Sequence, residues 1–115
     1  MLTELYQQSC GPCHRGVSPL SSAEAEALRR AIPDWALLDG DTRIERRYAF
    51  KGFKPAFRFV EGLSAIAEAE GHHPDITFGW GYAVVSLQTH TIKGLHQNDF
   101  ILAAKTDRLF AAAAR

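Results

Sequence analysis

The spacing of apolar and polar residues divides most of the chain into seven elements. Ser21-Ser22-Ala23-Glu24 has the form of a capping box, in which the Ser21 hydroxyl accepts from the backbone N–H three residues on and Glu24 reaches back. A short helix is predicted to follow, carrying Leu28 and Ile32 and stopping before Pro33. Trp35 to Leu38 is a short apolar run, and Gly40-Asp41 is a turn signal. From Arg43 to Lys51 the pattern alternates. Ile44, Tyr48 and Phe50 share one face, with Arg46 the exception on it, while Glu45, Arg47 and Lys51 point the other way. Period two after a turn predicts a β-hairpin.

Lys54-Pro55 opens a long helix, with Pro55 near the first turn, where a missing N–H does no harm. Phe59, Leu63, Ile66 and Ala67 form its apolar stripe, Phe57 and Val60 widen it, and Gly71 is the expected stop. A second hairpin follows: Ile76, Phe78 and Trp80 alternate, Gly79 and Gly81 permit a tight bend, and Tyr82 to His90 forms the returning strand. On that strand Ala83, Val85, Leu87 and Thr89 share one face, and Tyr82, Val84, Ser86, Gln88 and His90 the other. After Gly94 a last helix begins between His96 and Asn98, carries Phe100, Ile101, Ala104 and Leu109, and ends in an alanine-rich tail. The order α-β-β-α-β-β-α predicts an α+β fold, a four-stranded antiparallel sheet with three helices packed on one face.

Residues 1–20 contain Gly11, Pro12, Gly16 and Pro19 and lack periodicity, so they read as an irregular N-terminal segment before a single domain over 21–115. Their deletion is expected to leave folding and activity nearly intact. The chain's 115 residues suit one domain, and 46% hydrophobic content with seven Phe, two Trp and three Tyr is enough for one core. Thirteen basic residues balance thirteen acidic ones, which argues against a nucleic-acid or membrane-surface binder. No apolar run approaches the roughly 20 residues of a membrane span. The N-terminus has neither an early basic cluster nor an apolar stretch of signal-peptide type, so a cytoplasmic location is the expectation.

Candidate chemistry is concentrated between Glu68 and Asp99. The skeleton is Glu68-x3-His72-His73-Pro74-x5-Trp80-x9-His90-x8-Asp99, with three of the five histidines in it and His96 between its last two members. His72 and His73 leave the long helix on a loop, His90 sits at the end of a strand, and Asp99 falls in the first turn of the last helix, where the dipole favours a negative charge. Loops and a strand end can converge on one rim of a sheet. Histidine suits acid–base work near neutral pH, and two histidines beside a substrate can take one proton and give another, as an elimination requires.

This skeleton resembles the signature of the pterin-4a-carbinolamine dehydratase family in every position and gap. Ile32-Pro33-Asp34-Trp35, Phe50-Lys51-Gly52-Phe53 and Thr89-His90-Thr91-Ile92-Lys93-Gly94-Leu95 are similar to their counterparts in bacterial members, and the similarity spans roughly residues 21–110. The resemblance implies dehydration of 4a-hydroxytetrahydrobiopterin to the quinonoid dihydropterin. That reaction recycles the cofactor spent by aromatic amino acid hydroxylases and links the chain functionally to phenylalanine hydroxylase. It implies that His72, His73 and His90 surround the pterin, with His72 and His90 as the acid–base pair and His73 binding and orienting the ring. Asp99 would hold His90 or the loop around it, Glu68 would orient His72, and Pro74 and Trp80 belong to the same motif. The family fold is a four-stranded antiparallel sheet under three helices. Members form homodimers or homotetramers, and no cofactor is implied.

Other readings stand beside this one. Three histidines can bind zinc, but adjacent histidines on extended chain point apart, so a metal-free site insensitive to chelators is expected. Glu68 reads equally as a solvated carboxylate, Trp80 as a packing residue near a bend, and His96 as a helix-start residue without a catalytic role. Cys10-Gly11-Pro12-Cys13-His14 matches both a haem-attachment pattern and the thioredoxin Cys-Gly-Pro-Cys. The first needs export, the second a preceding strand and a βαβ setting, and a zinc site there would need a further ligand. The family resemblance also admits a protein-binding role, as a dimerisation cofactor or assembly factor, and dehydration of another pterin, as in molybdopterin metabolism. The intact histidine set favours chemistry.

Overall fold

The computed structural model describes residues 4–11 and 17–113. Helix α1 (Ser22–Arg29) is followed by strands β1 (Ala36–Leu38) and β2 (Arg43–Ala49), helix α2 (Phe53–Glu70), strands β3 (Asp75–Gly79) and β4 (Tyr82–Leu87), and helix α3 (Gln97–Ala113). The four strands form one antiparallel sheet in the order β1-β2-β4-β3. The fold is therefore the α+β arrangement that the order of apolar periods predicts.

Local sequence accounts for most of these boundaries. The capping box forms in full: Ser21 Oγ accepts from the Glu24 N–H at 3.1 Å, and Glu24 Oε1 accepts from the Ser21 N–H at 2.8 Å. Gly71 ends α2 in the left-handed conformation, φ +67°, and its N–H donates to the Ala67 carbonyl. Strand β4 buries Ala83, Val85 and Leu87 and leaves Tyr82, Val84 and Ser86 on the outer face. The inner face packs on Phe59 and Leu63 of α2 and on Phe100, Leu102 and Ala103 of α3, with Trp35 and Ile32 closing one end.

Two strand ends differ from the pattern. β4 stops at Leu87, and His90 begins a 3-10 turn, His90–Ile92, instead of ending the strand. The reason lies in its neighbours. Asp75, the first residue of β3, pairs with Ser86, and β2 has only Arg43 beyond its Ile44–Leu87 pair, so both flanking strands run out at this end. Thr89 instead bridges to Gly94, across a turn closed by Lys93 at φ +53°. Trp80 lies in the two-residue turn between β3 and β4 and not on the strand. Gly81 takes φ +86° there.

Arg46, the polar exception on the inner face of β2, is explained by α3. Asp107 Oδ1 accepts from Arg46 Nη1 at 2.8 Å, Trp35 Nε1 at 2.9 Å and the Tyr48 hydroxyl at 2.5 Å. Burial, with the Asp107 charge second, drives the Tyr48 phenol well above its ordinary pKa, so it stays a donor.

The described residues before α1 are held against the rest of the fold. Residues Leu5–Gln7 make a 3-10 turn against α3, where the Arg108 guanidinium lies 4.2 Å from the Tyr6 ring centroid and Lys105 Nζ donates to the Tyr6 carbonyl at 2.9 Å. Farther on, the Leu20 N–H donates to the Leu95 carbonyl, and Pro19 crosses so close to Gly94 that a Cβ there would meet Pro19 Cβ at 2.7 Å. These contacts revise the expectation for a chain lacking residues 1–20. Such a chain is expected to unfold cooperatively but at a clearly lower temperature, and an unchanged midpoint in a thermal melt would return the segment to the role of a loose lead-in.

Candidate active site

At the rim where α2 ends, β4 ends and α3 begins, the chain encloses an open cavity of about 490 Å³. His72, His73 and His90 all line it, together with Cys10, Gly11, Glu70, Gly71, Gln88, Thr89, Thr91 and Asn98. The Gly71 stop puts His72 on the second residue past α2, and its N–H still donates to the Ala67 carbonyl at 3.2 Å. Pro74 restricts His73 to extended backbone and leads into β3.

His72 is the most constrained of the three. Its Nε2 lies 2.6 Å from Asp99 Oδ1, with the His72 side chain 12% exposed and the Asp99 side chain fully buried. Asp99 Oδ2 accepts from the Thr89 hydroxyl at 2.7 Å and from the His96 N–H at 3.0 Å. Asp99 Oδ1 can accept from His72 Nε2–H in the tautomer that carries the hydrogen there, and that tautomer leaves the lone pair on Nδ1.

His73 pairs with Glu68 through Nε2 and Oε2, both side chains being largely exposed. His90 is exposed on its 3-10 turn and has no side-chain hydrogen bond to any described residue. The arrangement thus offers one histidine locked by a buried carboxylate and one available to a ligand, in the same cavity.

Several assignments change at this resolution of detail. Asp99 holds the loop around His90 through Thr89, one of the two expected placements, and in addition engages His72 directly. Glu68 orients His73 and not His72. Neither carboxylate lines the cavity, nor does Pro74. Trp80 is 75% exposed at the opposite end of the β3–β4 hairpin, roughly 15 Å of strand away, so it does not meet a ligand in this cavity of the same chain. His96 Nδ1 accepts from the Asn98 N–H at 3.0 Å and so caps the start of α3. The pattern of histidines did not point to Cys10, Gly11, Glu70 and Asn98. Asn98 was legible only as the neighbour of Asp99, and Glu70 only as the last residue of α2. Cys13 and His14 lie outside the described residues, so the Cys-x-x-Cys-His motif is represented by Cys10 and Gly11 alone. Among the described residues no group of three or more His, Cys, Asp or Glu is placed to hold a metal ion, and no helix is long and apolar enough to cross a membrane.

The model of the family described as "Pterin 4 alpha carbinolamine dehydratase" matches residues 18–109. A protein of Azoarcus sp. named "Putative pterin-4-alpha-carbinolamine dehydratase" is 55% identical over 109 residues, covering 95% of this chain and 93% of its own. One of the same name from Methylococcus capsulatus is 49% identical over 109 residues, covering 95% and 96%. Among solved structures, a "transcriptional coactivator/pterin dehydratase from Brucella Melitensis" superposes with a TM-score of 0.76 at 30% identity, covering 80% of this chain and 98% of that one. A "pterin dehydratase-like protein" described as a RuBisCO assembly factor in the alpha-carboxysome superposes at 0.58 and 27% identity, covering 66% and 88%.

Proposed function

Because the chain belongs to the pterin 4 alpha carbinolamine dehydratase family, we propose that it dehydrates 4a-hydroxytetrahydrobiopterin to quinonoid dihydropterin in the cytoplasm, and so returns the tetrahydropterin spent by aromatic amino acid hydroxylases such as phenylalanine hydroxylase. The observation that carries this reading is His72, held by the buried Asp99, in one cavity with His90, whose side chain has no hydrogen bond to any described residue. The cavity has the size range of small-molecule sites, enough for a bicyclic ring.

The reaction breaks C4a–O, removes the proton from N5 and forms the C4a=N5 double bond, with water leaving. His72 Nδ1 accepts the N5 proton, and Asp99 stabilises the resulting imidazolium from the other side of the ring. His90, as imidazolium, gives its proton to the departing hydroxyl. His73, steered by Glu68, binds and orients the ring. No step draws on a metal, so dialysis against a chelator is expected to leave the rate intact. Stoichiometric zinc at the histidines, with activity lost on its removal, would overturn that. The primary test follows quinonoid dihydropterin formation in a coupled hydroxylase assay with and without the protein. An unchanged rate would remove the dehydratase reading.

A second copy of the chain is the proposed protein partner. Phe53 and Phe57 of α2 are about half exposed and stack on Phe78 of β3 at ring centroid distances of 5.7 and 6.2 Å. β3 is an edge of the sheet, so its outer backbone groups await a partner strand beside this aromatic patch. Sedimentation at micromolar concentration is expected to give a homodimer or larger species, and a monomer alone would contradict the assignment.

A further inference from the structure

The family match begins at residue 18, yet the cavity is walled in part by Cys10 and Gly11. Asn98 holds that wall in place. It is 3% exposed, and both ends of its amide are spent on one residue of the N-terminal segment. Asn98 Oδ1 accepts from the Gly11 N–H at 2.9 Å, and Asn98 Nδ2 donates to the Gly11 carbonyl at 2.7 Å. Next to it, the Cys10 N–H donates to Glu70 Oε1 at 2.7 Å, and Cys10 Sγ points at the Asn98 carbonyl at 3.7 Å. Burial, then the Glu70 charge, pushes the Cys10 thiol up to about 12, which suits a packed wall residue more than a nucleophile.

We propose that Asn98 is a positioning residue for pterin binding, which clips the Cys10–Gly11 strap down as a wall of the histidine cavity. This rests on the dehydratase reading for the identity of the ligand, and on the geometry alone for the clip. The strap exchanges between a docked state that completes the cavity and a lifted state that leaves it open on one side. Pterin contacts the wall only in the docked state, so it binds that state more tightly and shifts the exchange toward it. Weakening the clip lowers the docked fraction. The apparent dissociation constant rises by the inverse of that fraction, while the chemistry in the docked complex is unchanged.

The test uses full-length protein carrying Cys13→Ser, so that Cys10 is the only thiol, with Asn98→Ala, Gly11→Pro and the two combined. Gly11→Pro removes the N–H that Asn98 Oδ1 accepts and puts the ring Cδ where that hydrogen pointed, while a Cβ at Gly11 meets nothing within 4 Å, so it breaks the clip without changing a residue of α3. Each single variant is expected to raise KM about tenfold with kcat within about twofold, since Asn98→Ala removes both neutral hydrogen bonds of the clip and Gly11→Pro removes one and pushes the strap off the other. Each is also expected to speed disulfide exchange of Cys10 with an aromatic disulfide reagent by a similar factor. In the unsubstituted strap, saturating dihydropterin slows that exchange. The double variant is expected to be no worse than either single one, because both remove the same contact.

A fall in kcat matching the fall in kcat/KM would mean that Asn98 acts through its neighbour Asp99, and additive effects in the double variant would mean two separate roles. Either overturns the proposal. Protection of Cys10 by dihydropterin without any dehydration would leave the wall standing and remove the dehydratase reading. Dehydration without protection would remove the wall alone, and neither dehydration nor protection would remove both.

Discussion

Alanine at His72 or at His90 is expected to lower kcat for pterin dehydration by about 10²–10⁴-fold each, while the KM for pterin changes little. The two losses have different physical origins. His72, held at Nε2 by Asp99, is the proposed acceptor through Nδ1, and its removal leaves the N5 proton to water. Removal of His90 leaves the hydroxyl to depart without a positioned donor. Both interactions matter most as C4a–O breaks, which is why they belong to kcat. His73→Ala behaves differently, with the larger effect on binding, because His73 lines the cavity with a largely exposed side chain held only by the exposed Glu68. Some activity survives each single change, since the lone pair on N5 helps expel the hydroxyl. The His72/His90 double variant should approach the uncatalysed rate. Steady-state kinetics on the three single variants and the double variant, with folding checked by circular dichroism, decides the matter. A double variant turning over like the unsubstituted protein would overturn these roles.

The second large effect is on stability. Asp107→Ala is expected to cost about 2–4 kcal/mol and to lower the melting temperature by about 10 °C. One carboxylate oxygen serves three donors from two segments of the chain: Trp35 before β1, and Arg46 and Tyr48 on β2. Trp35 and Tyr48 are each only 1% exposed, so neither can turn to water when the acceptor goes. Arg46 would keep a charge beside the Tyr48 and Phe110 rings, with only the exposed Asp34 carboxylate, 3.6 Å away, to answer it. Asp107→Asn keeps an acceptor and loses the charge, and should therefore cost less than alanine. Urea unfolding measures both, and a loss below about 1 kcal/mol for alanine would show that the three donors find other partners.

What the sequence allowed to be read follows from how far apart the deciding residues stand. The capping box joins residues three apart, Gly71 acts within its own helix turn, and the alternation of β4 is visible in six consecutive residues. All of that was legible. Arg46 was visible as an anomaly, but its cause lies 61 positions away in Asp107. The end of β4 depends on where its neighbours β2 and β3 begin, and no local pattern encodes that. The histidine set was legible as a set, whereas the partner of each carboxylate was not. Asp99 and Glu68 each had two histidines within plausible reach, and only the path of the chain after Gly71 decides between them. The strap was the least legible element. Its backbone groups meet Glu70 and Asn98 at separations of 60 and 87 residues, and backbone donors leave no trace in side-chain periodicity.

Asp99 ties together the loop after α2, the end of the sheet and the turn before α3, three segments that meet only when every layer has docked. No fragment of the fold can therefore present His72 correctly. In a denaturant titration, catalytic activity, tryptophan fluorescence and far-ultraviolet ellipticity should decline along a single curve, with no compact but inactive species preceding the main transition. The dehydration assay would then double as a probe of global unfolding.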